Sequence, residues 1–435
     1  MRWIFGAIVL LLIGIALDLG LLVYSMYALL SVLLVSRYLA REWTDHLSVT
    51  RSCSRTTAEI GEKTAVIVEI KNEGRLTIPW LLIEDSLPRE ALRQRPPRIK
   101  IERKRRGLFK VRGGSTVSLR YQLIFQMRGY YQIGPTLVES GDLFGLHRRY
   151  RILSEPAFVL VYPKVIPLTG YDLASRRPIG EVRMTHRLFE DPTRISGVRP
   201  YQTGDALNRI HWQATARTGD LHSKTYEPST VAGATILLDF FKDDYVARHE
   251  PARSELAVTA CASMANAVYQ MGQQVGFMTN ARDAADRIRE EGYQHDFLTR
   301  DAAQKTLGMV SESDRLRPVI VETRRGADQL TRILESLARA EMTDGLTFPQ
   351  FVMEVANRIP RDTTVVAVLP QVSTESALAL GSLKRRGFAV TVLLVMFEEE
   401  EEFPESMGRL IAEGIDVRRV DSEEAISHVC SAQCV

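Results

Sequence analysis

Hydrophobic and polar positions divide this chain into three stretches of different rhythm. Between residues 3 and 35 the only charged side chain is Asp18. One helix of that length would reach about 50 Å, against about 30 Å of hydrocarbon in a bilayer. Two passes of about 15 residues would be short, a mismatch that local thinning and snorkelling absorb. Arg2 precedes the block, and Arg37 and Arg41 follow it. Cationic flanks stay on the cytoplasmic side, so the placement predicts a transmembrane hairpin over 1–43 with Asp18-Leu19-Gly20 as its turn. A single tilted span is the alternative. A cleaved signal peptide fits poorly, because the apolar block is about twice a signal core in length.

Beyond residue 46 the period becomes two. Residues 64–71, 80–85 and 115–125 alternate, and Asn72-Glu73-Gly74, Pro79 and Gly113-Gly114 bound them. Short strands without a helical period predict a β-sandwich-like domain over 44–165. The third rhythm begins at Ala234. Residues 235–240, 275–279, 364–369 and 389–395 are near-continuous apolar runs, as in strands buried on both faces, with a short run at 415–417. Helical spacing occupies 253–271, 327–340, 375–386 and 405–413. This alternation predicts a doubly wound parallel sheet over 233–435, joined to the β domain by a linker over 166–232. The fold class expected is α/β plus β.

Composition changes little in this picture. The 56 Lys and Arg against 53 Asp and Glu leave a net charge of +3, too small to imply a nucleic-acid partner. Four cysteines cannot staple a chain of 435 residues, and Cys430 and Cys434 lack the second pair that a structural zinc needs. The stretch 89–112 is basic, centred on Arg103-Lys104-Arg105-Arg106. It is either a solvated hairpin or a site for membrane lipid; Phe109 alone interleaves the charges, which argues against nucleic acid. The acidic run 398–402 reads as a solvated loop or a docking point for a basic partner. Residues 282–317 form a charged insertion without an assigned role. No Walker A loop, GxGxxG fingerprint or HExxH motif is present, and no cofactor is expected.

Two local patterns are more specific. One is Arg128-Gly-Tyr-Tyr-Gln-Ile-Gly-Pro135, followed by Gly141-Asp-Leu-Phe-Gly-Leu146 and Val161-Tyr-Pro163. The other runs from Gly197-Val-Arg-Pro-Tyr-Gln-Thr-Gly-Asp205 through Asn208-Arg-Ile-His-Trp212 to Arg217, and on to Lys224, Tyr226 and Glu227. Together they resemble the DUF58 family of bacterial membrane-anchored proteins, over essentially the whole chain. Leu143 stands where that family has proline. The resemblance implies an N-terminal transmembrane hairpin, a β-rich region and a von Willebrand factor A-like domain. It also implies partnership with a MoxR-type AAA+ ATPase, often beside a transglutaminase-like membrane protein.

The candidate site residues are Arg199, Tyr201, Asp205, Arg209, His211, Trp212 and Arg217. They admit three readings. They lock the linker, with His211 and Trp212 as interdomain packing and Trp212, Tyr201 and Tyr226 beneath the charges. Or they dock a partner. Or Asp205 and His211 are the acid–base pair of a hydrolase, for which Thr203, Thr215 and Ser223 are nucleophiles without an activating motif. The resemblance also implies a Mg²⁺ loop of the form Asp-x-Ser-x-Ser. Here Asp239 is present, but Phe241 and Asp243 hold the serine positions, and Pro370-Gln371-Val372-Ser373 supplies no later aspartate. Asp239 and Asp243 are therefore read as a degenerate metal site. The expectation is a non-enzymatic interaction platform at the bacterial inner membrane, two-pass with cytoplasmic domains, acting with a MoxR-type ATPase in assembly or maturation of a client.

Overall fold

The computed structural model describes residues 2–142, 147–168, 190–202, 210–228, 233–291, 316–361, 363–395 and 403–429. The described residues up to 126 and those of 131–159 fall in one compact unit. Residues 127–130 and the described residues from 160 onward fall in the other.

The first unit opens with α1 (Arg2–Ala16) and α2 (Gly20–Asp45). Asp18 turns the chain between them with φ 57°, a left-handed conformation that aspartate tolerates better than most residues. Large apolar side chains point outward along both helices, among them Phe5, Leu12, Leu21 and Val35. α2 is long and apolar enough to cross a membrane. Its second half is amphipathic: Leu33, Ser36, Ala40, Trp43 and Thr44 are buried at helical spacing.

Eleven strands follow among the described residues. They are β1 (Leu47–Cys53), β2 (Thr57–Ala58), β3 (Lys63–Asn72), β4 (Ile78–Asp85), β5 (Ile99–Glu102), β6 (Arg106–Val111), β7 (Thr116–Phe125), β8 (Gly129–Ile133), β9 (Thr136–Gly141), β10 (Arg148–Ile152) and β11 (Ala157–Val161). They pair in the orders β1-β3-β7-β5, β10-β9-β4-β6 and β2-β11-β8. A short helix, α3 (Arg89–Arg93), precedes β5. Thr64, Val66, Val68 and Ile70 alternate inward on β3, which is the period-two pattern legible in the sequence. α2 packs on β9 and β10. The basic cluster is partly neutralised: Arg105 and Arg106 both pair with Glu84, at 2.7 and 2.8 Å. Gly134 is fixed by steric necessity, with φ 93° and a Cβ position only 2.2 Å from the Arg51 guanidinium.

The second unit contains a ribbon of β12 (Glu190–Pro200) and β13 (His222–Pro228), with α4 (Trp212–Thr218) between them in sequence. After it come β14 (Gly233–Leu238), α5 (Ala252–Gln270), β15 (Val275–Thr279), β16 (Arg282–Asp283) and α6 (Ala284–Glu291). The remaining strands are β17 (Val319–Arg324), β18 (Ala340–Glu341), β19 (Thr363–Leu369), β20 (Val390–Val395) and β21 (Asp416–Val420). Six of them form one sheet in the order β17-β15-β14-β19-β20-β21. Its two faces carry separate cores: one includes Ile236, Ala260, Met264 and Phe277, the other Leu237, Phe351, Val365 and Leu380.

One expectation needs correction. The sheet is not wholly parallel, because the edge strand β17 runs antiparallel to β15. Its sequence, Val319-Ile-Val-Glu-Thr-Arg324, is apolar for only three residues and half-exposed, so it lacks the mark of a strand buried on both faces. Arg128, in the short 127–130 stretch of this unit, is buried. It donates to the carbonyls of Leu337 and Ala340 and to Glu255, the last at 2.6 Å, and its guanidinium stacks over Phe240.

Candidate functional site

The second sequence pattern builds the β12–β13 ribbon. Arg199 faces Ser223 and Pro200 faces His222 across it, and the Tyr201 N–H donates to the Leu221 carbonyl at 2.8 Å. Ile210 bridges to Ser223, which brings the chain back to start α4. His211 caps that helix: its Nδ1 accepts from the Ala214 N–H at 3.0 Å. Gly219 closes it in the left-handed conformation with φ 81°. Arg217 lies exposed in the last turn, and Asp205 and Arg209 fall outside the described residues.

This geometry overturns one expectation. Trp212 does not pack beneath a charged network; it is 66% exposed, and Leu221, Val198 and Ile195 are exposed on the same ribbon. The reason is local. His211 and Trp212 begin a helix too short to turn both side chains inward, and none of its residues is buried. Tyr201 is half-buried, and the side chain of Tyr226 lies outside the description. His211 Nδ1 is taken up by the cap bond, and its expected acid–base partner Asp205 lies outside the described residues. Thr215 Oγ1 accepts from the His222 N–H at 3.1 Å, and Ser223 is fully buried, so neither is presented as a nucleophile.

The second candidate lies where the strand order of the large sheet reverses, between β14 and β19. In doubly wound sheets this is where ligands bind, outside the carboxyl ends of the strands. Asp239 follows β14 and is 1% exposed. Its Oδ1 accepts from Asn280 Nδ2 at 2.9 Å and from the Phe241 N–H at 3.1 Å. Asn280 Oδ1 in turn accepts from the Phe240 N–H at 2.7 Å, and Tyr245 donates to the Asp239 carbonyl at 2.7 Å. Asp244 stands beside Asp239 and accepts from Gln371 Nε2 at 2.8 Å. Burial first, and then the Asp244 charge, push the Asp239 acid well above the ordinary carboxylate range. Burial and the Asp239 charge also hold the Tyr245 phenol up.

The expected pairing with Asp243 is therefore corrected. Asp243 is exposed, and the short 3₁₀ turn Lys242–Asp244 brings the next residue to Asp239 instead. Among the described residues no three His, Cys, Asp or Glu side chains gather to hold a metal. Asn280, Asp244 and Gln371 were not singled out from the sequence. Asn280 carried a signal, a polar residue directly after the apolar run 275–279, as Asp239 stands after 235–238. Asp244 and Gln371 carried none, since a turn of one residue decides which acid faces inward. The acidic run 398–402, Leu143 and the Cys430 and Cys434 pair fall outside the described residues, as does 292–315 of the insertion.

Comparison with known proteins bears on the same segments. Residues 197–299, which include the ribbon, β14, α5 and β15, match the family described as protein of unknown function DUF58. The uncharacterized protein YeaD of Bacillus subtilis (strain 168) is 23% identical over 273 residues, 62% of this chain. The match covers 65% of that protein, so the chain spans just under two thirds of its relative's length. Among solved structures, a von Willebrand factor type A protein from Catenulispora acidiphila overlaps 48% of this chain and 42% of its own, at 12% identity and a TM-score of 0.29. The CARDB domain of a Pyrococcus furiosus protein overlaps 28% of this chain and 94% of its own, at 16% identity and a TM-score of 0.18.

Proposed function

We propose that the chain, whose residues 197–299 match the DUF58 family, is a membrane-anchored interaction platform whose β12–β13 ribbon docks a protein partner. The observation that carries this reading is Trp212, two-thirds exposed at the start of α4 with Leu221 and Val198 on the same ribbon. Exposed tryptophan is among the residue types that most often anchor an interface. The partner is a MoxR-type AAA+ ATPase, with a transglutaminase-like membrane protein as a further member of the assembly and a client whose maturation the assembly serves. The α1 and α2 helices form a two-pass hairpin in the bacterial inner membrane, and the antiparallel sheets of the first unit pack as a sandwich. Both units are cytoplasmic. The outward apolar side chains of both helices support the anchor, because such a surface stays covered only in lipid. The flanking Arg2, Arg37 and Arg41 support the topology.

A pull-down of the detergent-solubilised full chain against the ATPase, with ATP and with ADP, tests this. Binding is expected in one nucleotide state. Trp212→Ser with Leu221→Ser should weaken it at least tenfold, while His211→Asn, which preserves the cap, should not. No association in any nucleotide state overturns the partner. Association indifferent to the double substitution overturns the ribbon.

A further inference from the structure

We propose that the first unit carries a docking surface for the anionic headgroups of membrane phospholipids, built by Arg37 and Arg148 where α2 leaves the apolar block. The inference rests on the reading of α1 and α2 as a membrane anchor and adds what that anchor presents to the lipid. The buried stripe of α2 begins at Leu33, before the apolar block ends at Val35. Leu33 lies about 6 Å to the bilayer side of Arg37 along the helix axis. The chain entering β10 meets this stripe at Ser36, one residue before Arg37, and so lies near headgroup depth.

The register between helix and sheet identifies what meets the headgroups. Ser36 Oγ lies 2.9 Å from His147 Nδ1, which sets the start of β10 beside the helix at its exit from the apolar block. Farther from the bilayer, Arg149 and Arg151 meet Thr44 and Asp45, so β10 and the end of α2 run side by side. These two arginines are committed to the helix end, and Arg105 and Arg106 are committed to Glu84. Arg148 is held more loosely: its side chain is 60% exposed, its contact with Glu139 is 3.5 Å long, and Tyr150 lies beside it. Arg37 is likewise exposed, at the edge of the buried stripe, one turn after Leu33 and just under one turn before Ala40. A phosphodiester accepts the forked guanidinium donors of both, and an anionic lipid brings a net charge that a zwitterionic one lacks.

Native mass spectrometry of the full chain, titrated in mild detergent with phosphatidylglycerol or phosphatidylcholine, tests the inference. Phosphatidylglycerol should bind on the order of tenfold more tightly, from two basic residues near the surface. Arg37→Gln with Arg148→Gln should bring the two lipids within about twofold of each other, while Arg103→Gln with Lys104→Gln should leave the preference intact. No preference in the unsubstituted chain overturns the inference, and so does a preference that only the second pair abolishes. Alkaline carbonate extraction of membranes separates the underlying reading. Release of the chain overturns the anchor itself, whereas retention without a lipid preference overturns the headgroup site alone.

Discussion

Arg51 and Asp85 form a two-point ion pair almost wholly withdrawn from water, with Nη2 to Oδ1 at 2.5 Å and Nε to Oδ2 at 3.2 Å. Tyr121 donates to Asp85 Oδ2 at 2.6 Å, Thr136 donates to Oδ1 at 3.1 Å, and Arg51 Nη1 reaches the Glu155 carbonyl at 2.7 Å. The network ties β1, β4, β7 and β9 together, and Gly134 leaves the space that the guanidinium fills. Arg51→Met leaves the carboxylate buried and unpaired, which should cost about 3–5 kcal/mol. Adding Asp85→Asn removes the stranded charge and keeps an acceptor for Tyr121. Thermal unfolding in detergent should therefore show the double variant more stable than Arg51→Met alone; the reverse order would show that the pair is not the element holding these strands.

Asp239 gives the α/β unit a pH dependence of definite sign. The folded acid holds its proton more tightly than the unfolded chain, because burial and the Asp244 charge disfavour its anion. Its contribution to stability is thus full below the unfolded carboxylate value of about pH 4 and is lost as pH rises through the raised folded pKa. Within that window the loss approaches about 1.4 kcal/mol per pH unit. Asp239→Asn keeps the acceptor for Asn280 and places an amide toward Asp244. Its melting temperature should fall less than that of the unsubstituted chain between pH 5 and 9, about the accessible range. Parallel curves would disprove the assignment. Millimolar Mg²⁺ should leave both curves unmoved, since among the described residues no three His, Cys, Asp or Glu side chains gather to hold a metal.

His211 separates a structural role from a chemical one. Loss of the cap in His211→Ala should cost about 1 kcal/mol, confined to α4 and read as faster hydrogen exchange of the amides of Ala214 and its neighbours. His211→Asn, which can accept the same bond, should restore their protection. A turnover abolished by both substitutions alike would return His211 to an acid–base role.

Much of this architecture is written in period and composition. The apolar block, the alternation of β3 and β7 and the strands β14, β15, β19 and β20 are legible because each buries a face or is buried on both. β17 escapes because an edge strand half-exposed to water needs few apolar residues. The candidate site is less legible. Asp239 could be found from its place after a buried strand, but the choice of Asp244 over Asp243 is made by a 3₁₀ turn that leaves no mark on the pattern. The exposure of Trp212 likewise depends on a helix of seven residues that tertiary contacts leave uncovered.

Arg151 joins the anchor helix to the sheet through the helix's own unsatisfied groups. The last carbonyls of α2 have no intrahelical partner, and Arg151 Nη1 donates to those of Thr44 and Asp45 at 2.7 and 2.8 Å. A cation at a helix C-terminus also opposes the negative end of the dipole. Arg149 adds contacts to Thr44 Oγ1 and the Asp45 carboxylate. Arg151→Gln should cost about 1 kcal/mol, because the site is open to solvent and neither partner is stranded. Arg151→Lys should keep the charge term and lose the shared geometry, falling between the two. Hydrogen exchange of the amides from Arg41 to Leu47 measures the effect directly: they should exchange fastest in Arg151→Gln, at an intermediate rate in Arg151→Lys and slowest in the unsubstituted chain. Equal rates in all three would mean that the junction is held by the buried Trp43 and Ala40 stripe alone.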